Sequence, residues 1–493
     1  MAANVGTGGR GIRLVTLLAL VLLALVVLGD AAYGAALLLS REPAPRPLTG
    51  DRIFHASRPA VVLVQGEYSV KASVPEADLG PGKHDEIENQ LLDMLRSGRL
   101  PLDENRVNQA AFDIITSNPD AYFVPSSKRV DDSFELANSG TGFYITEDGY
   151  LITASHVVSA TDADLKAELL ELEKQPANVT SLREGLKKSI QSDAGFNVSD
   201  AQLDRLSSWE QAWEAKYINL DKIEARYFVG SGASVEAGDR LNSSGSRATL
   251  VREEPVYPDR DVALLKADVK AVPSLRLSPT GPRPGQADYV IGYPRKGYLM
   301  EAAAFDASVP VVLSSGRVQS QIHRNSWTAF GTNADVTHGN SGGPVLDGNG
   351  DVVGVISFGV DANGAGPAQN YFVPSDVVKQ LLAKTSVVAK PGTATSAYYK
   401  ALQEGDSKHY RHELPKLQAL LDRMPSNTYV KDDLMAGQTA TLSGQDRTPP
   451  DLVPYWPAVA GATGGALALL LVVLCARLLT RRRGVVARPP PAV

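Results

Sequence analysis

The chain has 493 residues, more than one ordinary domain uses, so we expect two or more folded units joined by linkers. Its net charge of −6 argues against the basic surface typical of nucleic-acid-binding proteins, and we expect no nucleic-acid partner. The single cysteine, Cys475, excludes an internal disulfide and lies within an apolar run, which argues against a metal or redox site there.

The first apolar segment covers residues 14–39 and follows a short N-terminus, residues 1–13, that carries two arginines. From Leu14 to Leu28 it is apolar apart from Thr16, which suits either a signal peptide or a short transmembrane signal-anchor. Small residues just after this run would permit cleavage. The sequence therefore leaves both alternatives open.

The second apolar segment, residues 458–479, is long enough to form a transmembrane helix and is followed by a basic tail, residues 480–493. Positive residues predict that both termini are cytoplasmic if the first segment is not cleaved, with the region between them outside the cytoplasm. We therefore expect a protein of the cell membrane with lipid as a partner. The spacing of Gly461 and Gly465 also allows two helices to approach closely, which makes a homo-oligomer one expectation.

Between the two apolar segments, the hydrophobic pattern alternates between strand-like and helix-like stretches. Short β-branched runs punctuated by glycine and proline are typical of an all-β barrel or sandwich, and amphipathic stretches interrupt them. The predicted order is a linker at 40–59, a domain at 60–383 with helical insertions at about 80–118 and 161–225, and a helical juxtamembrane region at 384–457.

Two local patterns within this domain predict turns and helix starts. The runs Thr141–Ile145 and Tyr150–Thr153, separated by Glu-Asp-Gly, predict a β-hairpin. In the second insertion, Ser181 with Glu184 and Ser199 with Gln202 have the spacing of capping boxes, so we expect a helix to begin after each serine.

The strongest chemical signal is the stretch His338-Gly-Asn-Ser-Gly-Gly-Pro344, which lies between predicted strands. A serine hydroxyl needs a base to become a good nucleophile, and the oxyanion that forms on the substrate needs fixed donors. A glycine two residues before the serine leaves its backbone N–H unobstructed. We therefore expect Ser341 to be a nucleophile and the N–H groups of Gly339 and Ser341 to form an oxyanion hole.

Two partners for this serine appear upstream in the chain. His156 follows the apolar run Leu-Ile-Thr-Ala-Ser and is expected to act as general base, while His338 is assigned a subsite or structural role. Asp261 opens the apolar run Val-Ala-Leu-Leu, where a carboxylate needs hydrogen bonds to be buried, and orienting a histidine supplies that reason. Its rival, Asp259, is more typical of a solvated turn. No pair of the seven histidines has zinc-protease spacing, so we expect no metal and no cofactor.

The order His156, Asp261, Ser341 and the three surrounding motifs resemble trypsin-like serine proteases, and in particular the bacterial HtrA/Deg branch. The resemblance covers about 60–75 and 135–383 without the helical insertion. It implies a chymotrypsin-like fold of two six-stranded β-barrels with the triad in the cleft between them. No room exists for a PDZ domain between the protease region and the second apolar segment, which puts peptide-activated regulation and cage-like oligomers in doubt.

The resemblance also implies a substrate-binding surface. Asp335 lies six residues before the nucleophile, where trypsin-like enzymes carry the base of the primary specificity pocket and where a carboxylate attracts lysine or arginine. A loop aspartate bound by backbone amides is the alternative. Ser357 and Gly359 resemble the strand that pairs with the substrate backbone, with the glycine leaving the pocket mouth open.

These observations predict a membrane-anchored serine endopeptidase that cleaves proteins or peptides through an acyl-enzyme. Extracytoplasmic protein quality control or regulated proteolysis is the expected setting. The alternative is a catalytically silent receptor or scaffold that uses a protease fold to bind peptides. A third interpretation, in which the helical insertions recruit partners, is compatible with either.

Overall fold

The computed structural model describes residues 48–231, 241, 243–294, 310–324, 326–360, 369–425 and 427–449, together with isolated positions between 464 and 474. By its internal contacts the chain divides into two units. One unit comprises Leu48–Asp446 and contains all the elements described below. The other comprises Met1–Pro47 with Arg447–Val493, and most of its residues lie outside the described part of the chain.

Six antiparallel strands close the first barrel in the order β1-β2-β3-β6-β5-β4. Alternating and continuous apolar runs form these strands, and their inward side chains pack into a core that includes Val64, Leu151 and Leu265. The bounds are β1 Val61–Leu79, β2 Phe123–Tyr144, β3 Tyr150–Thr153, β4 Asn219–Gly230, β5 Ser246–Glu253 and β6 Ala263–Ala267.

Six further antiparallel strands close the second barrel in the order β10-β11-β12-β9-β8-β7. Their bounds are β7 Ala287–Gly292, β8 Val312–His323, β9 Thr328–Thr332, β10 Pro344–Leu346, β11 Val352–Val360 and β12 Gln369–Pro374. The two closed barrels confirm the predicted all-β double-barrel architecture. The predicted hairpin is also confirmed, because β2 and β3 pair from Gly142↔Thr153 to Tyr144↔Leu151 and Gly149 takes a φ of 96° in the turn.

Helices flank and interrupt the barrels. Their bounds are α1 Gly50–Ser57, α2 Lys83–Arg96, α3 Glu104–Ser117, α4 Pro119–Tyr122, α5 Ser155–Val158, α6 Asp162–Glu173, α7 Pro176–Ala194, α8 Asp200–Tyr217, α9 Ser375–Ala383, α10 Thr393–Asp406, α11 Tyr410–Arg423 and α12 Thr428–Leu442. A capping box at Ser199 and Gln202 starts α8 as predicted. The box predicted at Ser181 and Glu184 is wrong, because α7 begins earlier, at Pro176, and continues through both residues.

The helices α6 and α8 pack on strands that project beyond the first barrel. β1 and β2 are 19 and 22 residues long and stay paired from Val61↔Phe143 to Leu79↔Phe123. Leu165 and Leu169 of α6 bury against Tyr68, Val70 and Leu136 on these strands. The helical insertion therefore packs on the sheet of the first barrel, whose strand β3 leads into the helical turn that contains His156.

No helix within the described residues is long and apolar enough to cross a membrane. The predicted segment 14–39 lies outside the described residues. The predicted segment 458–479 also lies outside them apart from the isolated positions named above.

Candidate active site

His156 lies on α5, the single turn that follows β3. Its backbone N–H donates to Asp261 Oδ1 at 3.0 Å, and its Nδ1 lies 2.8 Å from Asp261 Oδ2. On the other side, Asn138 Nδ2 donates to the His156 carbonyl at 2.8 Å. Since both the backbone and the ring are bonded to the same carboxylate, the orientation of the imidazole is fixed from two directions.

Asp261 is fully buried, with 0% of its surface exposed, directly before β6. A buried carboxylate is costly unless donors surround it, and here it accepts from the His156 backbone, the His156 ring and the Ser357 hydroxyl. Its φ of 36° lies in the left-handed region, which aspartate tolerates better than most residues. The Asp261 N–H donates to the Pro255 carbonyl at 2.9 Å, which holds this conformation.

The pKa of His156 is raised above its ordinary value. Burial is the largest single influence and lowers it, but the hydrogen bond that the ring donates to Asp261, the charge of Asp261 and the charge of Asp164 together outweigh burial. The site therefore stabilises the protonated imidazole more than water does, and this is the form that a general base reaches after it has accepted a proton.

The loop that carries Ser341 is fastened to the first barrel through Thr141 of β2. The Thr141 hydroxyl donates to the Gly339 carbonyl at 2.7 Å, and the Thr141 N–H donates to the Ser341 carbonyl at 2.8 Å. Gly342 follows with a φ of 85°, and a Cβ there would lie 2.1 Å from the Thr141 carbonyl oxygen. This close approach explains the need for glycine directly after the serine.

Among residues 339–343 of this loop, two backbone N–H groups donate to no acceptor in the described part of the chain. The N–H groups of Asn340, Gly342 and Gly343 donate to the carbonyls of Thr337, Ile356 and Asn340. The N–H groups of Gly339 and Ser341 donate to no described group, and they are the two that the sequence assigned to an oxyanion hole. Gly339 has a φ of 95°, a conformation that favours glycine.

Ser341 Oγ donates to the Ser357 carbonyl at 3.4 Å, and no hydrogen bond joins it to His156 among the described residues. Catalytic hydrogen bonds are often long or misaligned before substrate binds. Proton transfer to His156 therefore requires the hydroxyl to leave the Ser357 carbonyl.

The predicted substrate-binding residues take different positions. Asp335 is exposed, beside Ala334 whose carbonyl accepts from Asn370 Nδ2 at 3.2 Å. Gly359 lies in β11 opposite Asn370 of β12. Ser357 has a role that the sequence did not reveal, because its hydroxyl donates to the buried Asp261. His338 is exposed in the loop before Gly339.

Groups able to bind a metal come together at two places in the described part of the chain, both away from Ser341. Glu404, His409 and His412 offer ligand atoms within 4.8 Å of one another, as do the exposed residues His84, Asp85 and Glu88. In the first cluster Lys416 Nζ lies 2.8 Å from Glu404 Oε1, so a cation already neutralises the carboxylate. Neither cluster includes a residue of the predicted triad.

Comparison with known proteins gives one family match and several individual ones. Residues 224–355 match the family model described as "Trypsin-like peptidase domain", a range that holds Asp261 and Ser341 and begins after His156. The chain is 32% identical over 127 residues to "Protease Do-like 5, chloroplastic" of Arabidopsis thaliana. That match covers 24% of this chain and 38% of the relative, so the chain spans well under half the length of this relative.

Among solved structures, an "HtrA-type protease AlgW with decapeptide" is 15% identical, with a TM-score of 0.32, and covers 68% of this chain and 67% of its own. The "Rv3671c protease, inactive form" is 18% identical, with a TM-score of 0.28, covering 51% of this chain and 85% of its own. The resemblance to trypsin-like proteases that the motifs indicated is confirmed by the family match and the Do-like relative.

Proposed function

We propose that this chain, which resembles trypsin-like serine proteases of the HtrA/Deg branch, is a serine endopeptidase with Ser341 as nucleophile, His156 as general base and Asp261 as orienting acid. The observation that carries the proposal is the fully buried Asp261 bonded to both the backbone and the ring of His156. The two unused N–H groups beside Ser341 support it, because they are the donors that an oxyanion needs.

In the proposed reaction, His156 Nε2 takes the proton of the Ser341 hydroxyl as Oγ bonds to the substrate carbonyl carbon. The N–H groups of Gly339 and Ser341 bind the oxygen that becomes negative. His156 then gives the proton to the leaving amine, the carbon–nitrogen bond breaks, and an acyl-enzyme remains. Water repeats the sequence and releases the acid. Asp261 stays ionised throughout and stabilises the imidazolium.

We further propose that the peptidase is held at a membrane with its catalytic unit outside the cytoplasm. The apolar segments 14–39 and 458–479 and the arginines beside them support this arrangement. Protein quality control or regulated proteolysis outside the cytoplasm is the role that fits an anchored endopeptidase. Fusion of a compartment-sensitive reporter to residue 449 checks the topology, and a reporter signal from the cytoplasm at that position would refute it.

The activity is tested with a fluorophosphonate, which reacts only with an activated serine. The full-length chain, purified in detergent, should be labelled, and Ser341→Ala should abolish labelling. Ser443→Ala is the matched control, because Ser443 is exposed after α12 and should leave labelling unchanged. Labelling that persists in Ser341→Ala would refute the assignment of Ser341 as the nucleophile.

A peptide-binding receptor without turnover is the second candidate. The contact between Ser341 Oγ and the Ser357 carbonyl favours it, because the hydroxyl in that position does not donate to His156. The two functions separate in one measurement. A receptor would bind peptides with the same affinity in the wild type and in Ser341→Ala and would cleave none, whereas the endopeptidase consumes them only in the wild type.

A further inference from the structure

A cavity of about 230 Å³ lies directly beside His156, at the junction of the first barrel and the helical insertion. Besides His156, its walls include Tyr68 of β1, Leu136 and Asn138 of β2, and Asp164, Leu165 and Glu168 of α6. Sites for drug-sized ligands usually measure about 300–1,000 Å³, so this cavity has the size for a single side chain.

The walls combine apolar surface with negative charge. Leu136 and Leu165 are buried and form the apolar part. Asp164 and Glu168 lie four residues apart on α6, where like charges repel. Within the described residues neither has a basic side chain as an ion-pair partner, and the carboxylate of Asp164 binds the Thr161 N–H in the capping box of α6.

Tyr68 lines the cavity on the side of β1. Its side chain is 3% exposed, and its hydroxyl has no hydrogen-bond partner among the described residues. Burial raises the pKa of this phenol, and the Ala160 N–H, which lies near it without meeting the geometry of a hydrogen bond, offsets only part of that effect. The hydroxyl oxygen has almost no accessible surface, so Tyr68 contributes carbon atoms and not its hydroxyl to the cavity wall.

We propose that this cavity is a substrate subsite for the side chain of a lysine or arginine that follows the scissile bond. A basic side chain has an apolar stem that suits Leu136 and Leu165 and a charged head that suits Asp164 and Glu168. The inference rests on the proposed endopeptidase function and assigns to the insertion a direct part in substrate choice.

The side of the scissile bond follows from the strands that form the cavity. β11, with Ser357 and Gly359, is the strand expected to pair with the residues before the bond, and it contributes nothing to the cavity. The walls come from β1, β2, α5 and α6 on the first barrel. The subsite therefore serves the first or second residue of the leaving group.

The test uses quenched fluorescent peptides that share one sequence before the bond and carry Arg, Lys, Gln or Glu at the first or second position after it. For the full-length wild type, kcat/KM for Arg or Lys at one of these positions should exceed that for Gln roughly three- to tenfold, as expected for two partly exposed charge pairs. Glu at the same position should be the poorest substrate. The ratio should shrink at high salt.

Variants of residues on α6 test whether the preference for basic substrates arises from the cavity. Glu168→Gln should lower the ratio of Arg to Gln substrates about two- to fivefold, and Glu168→Lys should reverse the preference in favour of Glu. Glu171→Gln is the matched control, because Glu171 is exposed on the same helix, pairs with Lys174 and lines no part of the cavity. It should keep the wild-type ratio.

Two results would overturn the subsite. One is equal kcat/KM for Arg and Gln substrates in the wild type, and the other is a preference that Glu168→Lys leaves unchanged. Labelling by the fluorophosphonate distinguishes a failure of the subsite proposal from a failure of the proposed endopeptidase function. If the wild type neither cleaves any peptide nor reacts with the probe, the endopeptidase proposal fails and the subsite fails with it.

Discussion

Asp261 is the residue on which the proposed chemistry of the site depends. It is fully buried, and each of its carboxylate oxygens is bonded to His156, with Ser357 adding a third donor. Removing one partner of such a buried charged network leaves the other groups unsatisfied. The carboxylate also holds the pKa of His156 up against the effect of burial.

Asp261→Asn should therefore lower kcat about 10³- to 10⁴-fold and change the pH profile. The hydrogen bond and the charge from Asp261 raise the pKa of His156, and without them burial lowers that pKa. Because the base must be neutral to act, activity of the wild type rises as pH increases through the raised pKa. In the variant this limb should move to lower pH. The measurement is kcat/KM for one peptide from pH 5 to 9.

Asp259→Asn is the control for this variant, since Asp259 is exposed two residues away and was the rival candidate in the sequence. It should retain both the rate and the pH profile of the wild type. An equal loss of rate in both variants, or an unmoved acid limb in Asp261→Asn, would contradict the assigned role of Asp261.

From the sequence, the predicted site residues are those whose motifs are local. His156, Asp261 and Ser341 each stand beside a recognisable strand or glycine loop, and the structure brings the first two into contact. The part played by Ser357 was not predictable, because its hydroxyl meets a carboxylate 96 positions away. The left-handed backbone of Asp261 was also hidden, since no local pattern requires it.

Among the elements, α10, α11 and α12 form a small helical bundle with its own core, which includes Tyr398, Leu417 and Val430. Glu413 of α11 is buried beside this core, and its Oε2 has no hydrogen-bond partner among the described residues. Burial, followed by the charges of Asp433, Asp406 and Glu404, raises the pKa of Glu413 to about 7. A bundle that buries this carboxyl is therefore sensitive to pH.

Glu413→Gln should stabilise the protein at alkaline pH and have little effect in acid. Below about 4.5, the pKa of this carboxyl in the unfolded chain, the group is protonated in both states, and its ionisation does not change the free energy of unfolding. As pH rises through about 7, the folded state must ionise a buried group that ionises freely when unfolded, so stability falls. We expect the variant to be more stable by about 1–3 kcal/mol at pH 8, measured by urea unfolding at pH 5 and pH 8.

The control is Glu184→Gln, which changes an exposed glutamate in the middle of α7. Its effect should stay within about 0.5 kcal/mol at both pH values. A stability difference between wild type and Glu413→Gln that is the same at pH 5 and pH 8 would show that Glu413 ionises as it does in the unfolded chain.

The sequence predicted elements best where the apolar pattern is continuous. Strands from Gly140 onward stand out because both faces are buried, as for Val352 to Ile356 in β11. The apolar run of residues 61–64 begins the 19-residue β1. In the outer half of β1, apolar and polar residues alternate, because α6 and α8 cover only one face. This half forms a strand because it pairs with β2, which is distant in sequence.

On the scale of the whole molecule, the two barrels share a core. One contiguous cluster joins Val61, Phe143 and Ile152 of the first barrel to Ile291 and Val355 of the second. His156 and Asp261 come from the first barrel and Ser341 from the second. The packing of the two barrels therefore brings the residues of the proposed triad together. The order of the motifs in the sequence predicts this packing only through the resemblance to a known fold.

Thr141 is the polar contact that connects the barrels at the proposed oxyanion hole. Its hydroxyl donates to the Gly339 carbonyl and accepts from the Tyr293 N–H at 2.9 Å, while its carbonyl accepts from Thr153 Oγ1 at 2.7 Å. The side chain is fully buried. Loss of the hydroxyl would leave a buried carbonyl and a buried N–H unpaired on the second barrel, each at a cost of about 1–3 kcal/mol.

Thr141→Val keeps the shape of the side chain and removes only these two bonds. Because two buried groups lose their partner, we expect it to destabilise the protein by about 2–6 kcal/mol. It should also slow fluorophosphonate labelling of Ser341 roughly tenfold or more, because the Gly339 peptide loses its anchor. Thr249→Val, which changes an exposed threonine of β5, is the matched control and should change neither quantity. If Thr141→Val lost stability but labelled at the wild-type rate, the hydroxyl would fasten the barrels without positioning the oxyanion donors. The connection between barrel packing and catalysis would then have to run through the Thr141 backbone bond to Ser341 instead.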